Sequence, residues 1–458
     1  MKKTKVLIVT VFQLLIFNQN IHSQNWEPLG YGFYLADILY LMPDTVNNQI
    51  YAAGSISHDF FGGNPFRGIA LWDGNTWSPI GNPLEGGGIK HGLGFFRDTL
   101  YSSGFFYNNS GFKSQLAKWN GSYWDTIPDN SDLGIYTFVE KEGELYFGGS
   151  FHKCGSDSTF LLGKYDGNQL TGMSVPYHDV ADGSSRVNTM LFFRDTLFVA
   201  GDFEIFFEPP IADFSYCKDH ELHLVSELFS QYIPVHMNSM VVFQDQIYIG
   251  GYFSTNNGFP SNSIMKWNGS SFEDVGGGAN DFIMKMEVYK DELYAVGYFT
   301  EIGGCPCQHV AKWNGQQWKC LNYDVFDTKF VNSFCILNDE LYVSGYFKKI
   351  GTDSIFSIAK LKHPLSSIEK HNTEVQSNFS LSPNPAHDFV KISITEPATE
   401  EIQVFVSDCT GRIVLRSTIP KGETACEIGL ERIRAGVYLV SVSGSLSQGV
   451  MKLVKNEN

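Results

Sequence analysis

The chain of 458 residues is 43% hydrophobic and 15% aromatic, and its 33 basic and 49 acidic residues give a formal net charge of -16. This length is enough for one large domain or for several smaller ones. The excess of acid opposes contact with phosphate backbones and anionic membrane surfaces, so the composition argues against nucleic-acid binding.

The N-terminal segment has the composition of a secretory signal peptide. Three lysines precede the apolar run VLIVTVFQLLIF, and a candidate cleavage site ends at Ser23. With these flanks the run is too short for a stable membrane-spanning helix. We therefore expect residues 1–23 to be a signal peptide, and we expect no transmembrane segment in the rest of the chain.

One seven-residue phrase occurs seven times, at intervals of 45 to 52 residues. A period in this range is typical of a propeller, in which each repeat forms a blade of about four strands. The sequence therefore predicts an all-β fold with a seven-bladed β-propeller. The phrases are IYAAGSI (50–56), LYSSGFF (100–106), LYFGGSF (145–151), LFVAGDF (197–203), IYIGGYF (247–253), LYAVGYF (293–299) and LYVSGYF (341–347).

A second phrase follows in five of the units and predicts a tight hairpin. Its centre is Asp-Gly or Asn-Gly between apolar and aromatic residues, the pair that suits the left-handed backbone of such turns. With the apolar run that precedes each first phrase, it brings each unit to four strands. The second phrases are IALWDGNTW (69–77), QLAKWNGSYW (115–124), LLGKYDGNQL (161–170), SIMKWNGSSF (263–272) and HVAKWNGQQW (309–318).

Trp26 predicts how the ring closes. The sequence NWEPLG around it aligns with TWSPIG at 76–81, so Trp26 belongs to the last strand of a blade without earlier strands. The seventh unit lacks that last strand, because it stops after FSIAKL at 356–361. We expect the N-terminal strand to pair near Ile358, which would leave no unpaired edge in the ring.

These units resemble kelch-type propeller repeats, on three features. A Gly pair lies in the first phrase of two units, at 148–149 and 250–251, a turn follows an aromatic residue, and a Trp closes the unit. The resemblance covers roughly Trp26 to Lys362. It implies the fold but no single activity, because kelch-like propellers serve as enzymes, adaptors and adhesins.

The fourth unit departs from the pattern. After its first phrase, residues 204–229 are rich in acid and contain neither an Asn-Gly turn nor a Trp. A loose alignment places Cys217 in the first Trp position and Leu222 in the last one. Two interpretations stay open, a diverged blade with an acidic insertion or a functional loop on one face.

The loops after the first phrases are the candidate ligand-binding surface, because a regular repeat opens them all on one face. Several place an aromatic ring beside Asn, Asp or Ser, which suits sugar faces and protein hot spots alike. The alternative is that the polar residues form ordinary turns and the Phe rings tuck under the rim. The candidates are Asp59, Phe60, Phe61, Asn109, Phe112, Asn256, Asn257 and Phe259.

Eight cysteines, all beyond the signal segment, allow disulfides in an oxidising compartment. We expect a Cys409–Cys426 pair first and a Cys320–Cys335 pair second. The Cys-Pro-Cys run at 305–307 matches no usual zinc spacing, so we expect no metal there. No phosphate loop, Gly-x-Ser-x-Gly elbow, His-Glu-x-x-His or acidic calcium loop is present in the sequence, so we expect no cofactor and name no catalytic residue.

The composition changes after Leu361. Residues 364–378 are polar and without apolar periodicity, as in a linker. Residues 379–458 alternate apolar and polar positions over several short stretches, which predicts a small immunoglobulin-like β-sandwich. This segment holds eight basic and nine acidic residues, so nearly all of the negative charge belongs to the residues before it.

Four motifs in this segment resemble the C-terminal sorting domain of type IX secretion cargo in the Bacteroidetes: LSPNPAHDFVKI (381–392), CTGRIV (409–414), AGVYLVSV (435–442) and MKLVK (451–455). The resemblance implies export across the outer membrane, contact with the secretion machinery, and release or attachment at the cell surface. The alternative is an ordinary β-sandwich appended for binding. The motif residues are Pro383, Asn384, Pro385, Gly411, Arg412, Gly436, Tyr438, Lys452 and Lys455.

The sequence thus predicts a signal peptide (1–23), a propeller (24–363), a linker (364–378) and a sorting domain (379–458). We expect an exported, monomeric propeller that acts as a noncatalytic binding module for glycan or protein at the outer cell surface or in the medium. The alternative is an extracellular enzyme, such as a glycan lyase, hydrolase or oxidase, with its site at the mouth of the central channel.

Overall fold

In the computed structural model, the regular structure of the described residues consists of β-strands and one single-turn 3-10 helix (Thr255–Asn257). No helix in the part of the chain that it describes is long and apolar enough to span a membrane. The described residues are 26–33, 36–56, 66, 68–80, 90–107, 113–127, 134–159, 161–173, 185–205, 211–218, 221–225, 235–322, 324, 326–328, 330–362, 379–407, 413–443 and 448–456.

The described residues up to 362 form seven four-stranded antiparallel sheets, numbered I to VII along the chain. The first strand, β1 (Trp26–Pro28), belongs to sheet VII. Sheets I to III contain β2 (Asp37–Asp44), β3 (Gln49–Ser55), β4 (Ile69–Trp72) and β5 (Trp77–Pro79); β6 (Lys90–Phe96), β7 (Thr99–Tyr107), β8 (Lys113–Trp119) and β9 (Trp124–Ile127); and β10 (Ile135–Lys141), β11 (Glu144–Gly149), β14 (Leu162–Tyr165) and β15 (Leu170–Gly172), with the small hairpin β12 (Lys153–Cys154) and β13 (Asp157–Ser158).

The remaining four sheets repeat this order. Sheets IV to VII contain β16 (Arg186–Phe193), β17 (Thr196–Ile205), β18 (Ile211–Lys218) and β19 (Glu221–Leu224); β20 (His236–Phe243), β21 (Gln246–Tyr252), β22 (Ile264–Trp267) and β23 (Phe272–Asp274); β24 (Ile283–Tyr289), β25 (Glu292–Gly297), β28 (Val310–Trp313) and β29 (Trp318–Cys320), with the hairpin β26 (Glu301–Ile302) and β27 (Cys305–Pro306); and β30 (Phe330–Leu337), β31 (Glu340–Tyr346) and β34 (Ile358–Leu361), with the hairpin β32 (Lys349–Ile350) and β33 (Asp353–Ser354).

One edge strand of every sheet faces the centre of a ring, and these inner strands are β2, β6, β10, β16, β20, β24 and β30. Each of these seven inner strands packs against the inner strands of both neighbouring sheets, and β2 meets β30 to complete the circle. The recurring seven-residue phrase forms the second strand, which is buried almost throughout because neighbouring sheets cover both of its faces. The β-propeller expected from the sequence is therefore confirmed.

The N-terminal strand closes the ring as predicted. In sheet VII, β1 pairs with β34 in the register Trp26 to Leu361, Glu27 to Lys360 and Pro28 to Ala359. Trp26 is 2% exposed, and its indole Nε1 donates a hydrogen bond of 2.9 Å to Asn322. The strand therefore brings a buried aromatic anchor as well as backbone pairing.

The closing Trp of a unit also ties its sheet to the one before it. The indole Nε1 of Trp77 donates to the carbonyl of Leu29, that of Trp124 to Ile80, and that of Trp318 to Val275, at 2.9 to 3.2 Å. Each acceptor follows the outermost strand of the preceding sheet. This shared contact explains why Trp recurs at one position of the repeat.

Sheet IV keeps the fold although its sequence diverges. Cys217 pairs with Leu197 in the position that Trp267 takes opposite Ile247 in sheet V, and Leu222 pairs with Cys217 as Phe272 does with Trp267. The alignment of this unit is thus confirmed. Residues 206–210, within its acidic segment, lie outside the described part of the chain.

The described cysteines do not pair as expected from the sequence. Cys307 is bonded to Cys320, with Cα atoms 5.3 Å apart, so the predicted Cys320–Cys335 disulfide is wrong. Cys320 ends the outermost strand of sheet VI, whereas Cys335 lies in the innermost strand of sheet VII, where burial raises the pKa of its free thiol. Cys426 is also a free thiol, and Cys409 lies outside the described residues.

The C-terminal residues form a β-sandwich. One sheet contains β35 (Phe379–Ser382), β36 (Phe389–Ile394) and β39 (Ala425–Gly429), and the other contains β37 (Ile402–Ser407), β38 (Ile413–Ile419), β40 (Gly436–Ser443) and β41 (Gln448–Lys455). Alternate apolar residues of both sheets, such as Ile392 and Val440, pack into one buried cluster. The period-2 alternation in the sequence therefore corresponds to inward-facing positions of the sandwich.

Candidate functional site

The inner strands surround a central channel with a cavity of about 350 Å³. Each of the seven inner strands carries one β-bulge at the same place, a single unpaired residue near the start of the strand. A bulge turns an extra side chain away from the ladder. Six of the bulge residues line the cavity: Leu39, Tyr136, Asn188, Asn238, Met284 and Asn332.

Three of the bulges carry Asn followed by Ser or Thr, and these pairs bind the next sheet. The amide of Asn238 donates to the carbonyl of Ile283 at 3.4 Å, and the hydroxyl of Ser239 accepts from the backbone N–H of Met286 at 2.9 Å. Asn188 with Thr189 and Asn332 with Ser333 make the equivalent contacts to sheets V and I. We call these three pairs the Asn-Ser/Thr staples.

Sheet VI has a lysine where the staples have Ser or Thr. The Nζ of Lys285 donates to the carbonyls of Leu41 at 3.1 Å and Phe334 at 2.8 Å, and it lies 4.9 Å from the ring centroid of Tyr40. The cation therefore joins sheets I, VI and VII inside the channel. Its donors are directed at protein carbonyls, so this lysine is better explained by packing than by ligand binding.

A row of aromatic rings borders the channel where the inner strands begin. Phe282 lies against Tyr252 with ring centroids 4.5 Å apart and planes 15° apart, and against His236 at 5.8 Å. Tyr298 follows at 5.6 Å from Phe282, and Phe330 at 5.3 Å from Tyr298. We call these five side chains the aromatic arc, and it spans sheets V to VII.

The arc contains exposed rings, and paired strands hold them in place. The side chains of Tyr252 and Phe330 are 46% and 42% exposed, although large apolar rings are usually covered. His236 stands opposite Tyr252 in the strand pairing, and Phe330 stands opposite Tyr346. The arc is therefore made by equivalent positions of successive sheets, at the end of the second strand and the start of the first.

A carboxylate lies at one end of the arc. The amide of Asn332 donates to Asp37 at 2.6 Å, and the hydroxyl of Tyr298 donates to the Asn332 amide oxygen at 2.9 Å. Burial raises the pKa of Asp37. Burial, and then the charges of Asp37 and Asp281, raise the pKa of Tyr298 to about 12, so this hydroxyl stays protonated.

The other end carries an ion pair. The Arg186 guanidinium donates to Asp202 through Nε at 2.7 Å, and Asp202 also lies 3.1 Å from Nδ1 of His236. Asn188 of the neighbouring staple donates to the same carboxylate at 3.3 Å. The Asp202 charge is therefore compensated within the protein, whereas that of Asp37 has no ion-pair partner among the described residues.

The predicted loop residues only partly fall within the described chain. Asp59, Phe60, Phe61, Asn109 and Phe112 lie outside it. Asn256 and Asn257 belong to the 3-10 helix, where the Ser254 hydroxyl accepts from the Asn256 N–H. Phe259 is 3% exposed and packs on Phe253 at 5.1 Å, so its ring lies under the rim. Ligand binding by these loops stays a prediction.

The sequence contains a signal for the arc outside the loops that follow the first phrases. The sixth residue of the phrase is Tyr in IYIGGYF, LYAVGYF and LYVSGYF, but Ser in IYAAGSI and LYFGGSF. This position lies at the end of the second strand or directly after it. The other rings, Phe282 directly before β24 and Phe330 at the start of β30, lie about 30 residues beyond the preceding Tyr, so no local pattern connects them.

The Pro-Asn-Pro motif holds the last strand of the β-sandwich. The side-chain oxygen of Asn384 accepts from the Val454 N–H at 2.9 Å, and the backbone N–H of Ala386 donates to the Val454 carbonyl at 2.8 Å. Ala386 and Lys455 form a parallel bridge, and Lys455 is 9% exposed. The motif residue Asn384 and the strand that contains Lys455, distant in sequence, are therefore held together.

Residues 380–456 match the family of secretion system C-terminal sorting domains. In this sorting domain, Tyr438 is mostly buried and its hydroxyl donates to the Arg434 carbonyl at 2.9 Å, next to Gly436 at the start of β40. The Gly411 and Arg412 turn lies outside the described residues, as does the side chain of Lys452. The match identifies the chain as a protein exported by type IX secretion to the cell surface or the medium, and it implies contact with the secretion machinery.

The propeller has a remote structural relative. The chain is similar to the β-propeller domain of the Trilobed protease from Pyrococcus furiosus, a structure described as having an open velcro topology, with 8% identity and a TM-score of 0.43. The likeness covers 72% of this chain and 96% of that one. No curated protein sequence matches the chain. At this distance the likeness carries nothing about activity.

Proposed function

We propose that the chain is a noncatalytic binding module for a glycan or a protein, exported to the cell surface or the medium, and that the aromatic arc is its binding surface. The observation that supports this most is the exposure of Tyr252 and Phe330 in a continuous row of rings at the channel mouth. Exposed aromatic side chains on a rigid scaffold are typical of binding hot spots.

The arrangement of carboxylates favours binding over catalysis. Asp37 and Asp202 stand at opposite ends of the arc, and Asp202 is held by Arg186. A hydrolase or lyase would be expected to gather acid and base groups around one cleft. Among the described residues, no three His, Cys, Asp or Glu side chains cluster as metal ligands would.

The test is a binding screen with the purified full chain on a glycan array and in pull-downs of host and bacterial surface proteins. Tyr252→Ala should weaken binding of the partner found by at least about tenfold, because truncation of a hot-spot ring costs roughly 2 kcal/mol or more. Isothermal titration with the identified partner gives the change in affinity.

The control is Tyr123→Ala. Tyr123 is 55% exposed in the hairpin turn between β8 and β9, away from the arc, and should leave affinity unchanged. Equal affinity in wild type and Tyr252→Ala would contradict the proposed surface. Turnover of a polysaccharide by wild type that is lost in Asp37→Asn would favour the enzyme alternative.

A further inference from the structure

We propose that the corner between Tyr298 and Phe330 binds the cationic side chain of a lysine or arginine in a basic polypeptide. This inference rests on the proposed function and names the chemistry of the partner. The corner is the end of the aromatic arc next to Asp37, where sheets VI, VII and I meet at the channel mouth.

The two rings form perpendicular walls. Their planes are 89° apart and their centroids 5.3 Å apart, so the two rings meet edge to face instead of stacking. Phe330 is 42% exposed, and Tyr298 is partly exposed. A cation is attracted to the face of an aromatic ring, and two faces at an angle contact it on two sides.

Carboxylate charge is concentrated at this end of the arc. Asp37 is connected to the Tyr298 hydroxyl through Asn332, over hydrogen bonds of 2.6 and 2.9 Å. Asp281 stands directly before Phe282, and its charge also acts on Tyr298. No Lys, Arg or His forms an ion pair with Asp37 in the described part of the chain, so a ligand cation would be the compensating charge.

The net negative charge of the chain favours the same class of partner, a basic polypeptide. The chain has 49 acidic against 33 basic residues, and residues 379–458 contribute almost none of this difference. The field around the propeller therefore attracts polycations and repels nucleic acids. The arc continues from Phe330 to His236 over three sheets, which gives further ring surface to the neighbouring residues of an extended peptide.

The experiment compares two synthetic peptides in fluorescence anisotropy at about 0.15 M salt, where general charge effects are screened beyond roughly 8 Å. One peptide alternates Gly with Lys and Arg, and the other has Gln in place of each basic residue. The full chain should bind the basic peptide at least about tenfold more tightly, because the Gln peptide loses both the cation–π and the ionic contacts.

Two matched variants separate the contributions. Phe330→Leu keeps an apolar side chain but removes the ring face, and Asp37→Asn removes the charge but keeps a hydrogen-bonding group. Each variant should lower the affinity for the basic peptide by about threefold to tenfold. The control Asp291→Asn, an exposed carboxylate in the turn between β24 and β25, should change affinity less than about twofold.

The possible outcomes test the cation site and the proposed function separately. Equal affinity for both peptides, or an equal loss in Asp37→Asn and Asp291→Asn, would overturn the cation site. If Phe330→Leu abolishes binding of a neutral oligosaccharide and spares the basic peptide, the arc is a binding surface but its ligand is a glycan. If no variant of an arc residue alters the binding of either a peptide or an oligosaccharide, the proposed function is contradicted as well.

Discussion

The channel mouth has two unlike sides. On sheets V to VII, the equivalent positions of the repeat hold the rings of the aromatic arc. On sheets I and III, the same end of the second strand holds Ser55 and Ser150. The backbone is alike on both sides, so the repeat supplies the positions and a few substitutions decide which side presents a surface.

The two sides are also joined differently. The Asn-Ser/Thr staples link sheet IV to V, V to VI and VII to I, directly below the arc. Between sheets II and III the ring of Phe138 packs so close to Gly94 that a Cβ there would lie 2.3 Å from it. Hydrogen bonds also join the sheets on the side without the arc, such as that from Trp124 to the Ile80 carbonyl, so the difference is that the staples add polar bonds between the inner strands on the arc side.

The largest effect is expected from opening the ring at sheet VII. This sheet is closed by β1, and it also carries Phe330, the last ring of the arc. Deleting residues 24–30 removes β1, the buried Trp26 and the only cover of the β34 edge that the described chain shows. Loss of a buried Trp alone costs about 3–5 kcal/mol, and an open edge promotes aggregation. We expect a much lower melting temperature and oligomers in size-exclusion chromatography.

The control for this deletion is Tyr123→Ala, which removes an exposed ring and should melt as wild type does. A truncated protein with an unchanged melting temperature would show that closure by β1 is dispensable.

A smaller effect is expected from a single staple. Ser239→Ala leaves the buried N–H of Met286 without its acceptor, which costs about 1–3 kcal/mol. Urea denaturation gives the free energy of unfolding. Ser78→Ala, at an exposed position of β5 on the other side of the ring, should change it by less than about 0.5 kcal/mol. An equal decrease in the free energy of unfolding in both variants would mean that the staple hydrogen bond does not stabilise the protein.

The smallest effect concerns pH at the closing sheet, where Lys360 binds Glu27 at 2.9 Å and Glu340 at 3.0 Å. Burial acts to raise the pKa of Glu340, but hydrogen bonds from Tyr342 and Lys360 outweigh it and leave the pKa below the ordinary 4.5. The unfolded chain therefore takes up this proton first, and the contribution of Glu340 to stability is present above about pH 4.5 and is lost as the pH falls below it.

Glu340→Gln should make the free energy of unfolding less dependent on pH between about 5 and 3, since one carboxylate of the closing sheet no longer titrates. Urea denaturation at a series of pH values measures this slope. Identical slopes for wild type and Glu340→Gln would exclude a role of this carboxylate in holding the N-terminal strand.

Much of the fold could be predicted from the sequence because the same pattern of strands and turns recurs in successive units. The phrase, the Asn-Gly turns and the missing last strand predicted the sheets and the pairing of Trp26, and Cys217 was aligned correctly without a Trp. In each case the information lies within one unit or in its comparison with the others.

The site did not follow, because it depends on which units meet in space, and the disulfide did not follow, because it depends on how the strands within one unit fold back on each other. Cys307 and Cys320 are close only because the strands of sheet VI fold back on each other. Tyr298 and Phe330 belong to different units, and Asp37 reaches them only once the ring is closed. The signal peptide and several candidate loop residues lie outside the described chain, and they stay predictions.

Because β1 and β34 share sheet VII, the beginning and the end of the propeller segment are held by a single strand pair. Its partners Trp26 and Leu361 are 335 residues apart in the sequence, and the entropy cost of closing a loop rises with the length of the loop. Once formed, the pair makes every sheet a neighbour of two others, and no sheet can leave the circle without breaking contacts on both flanks.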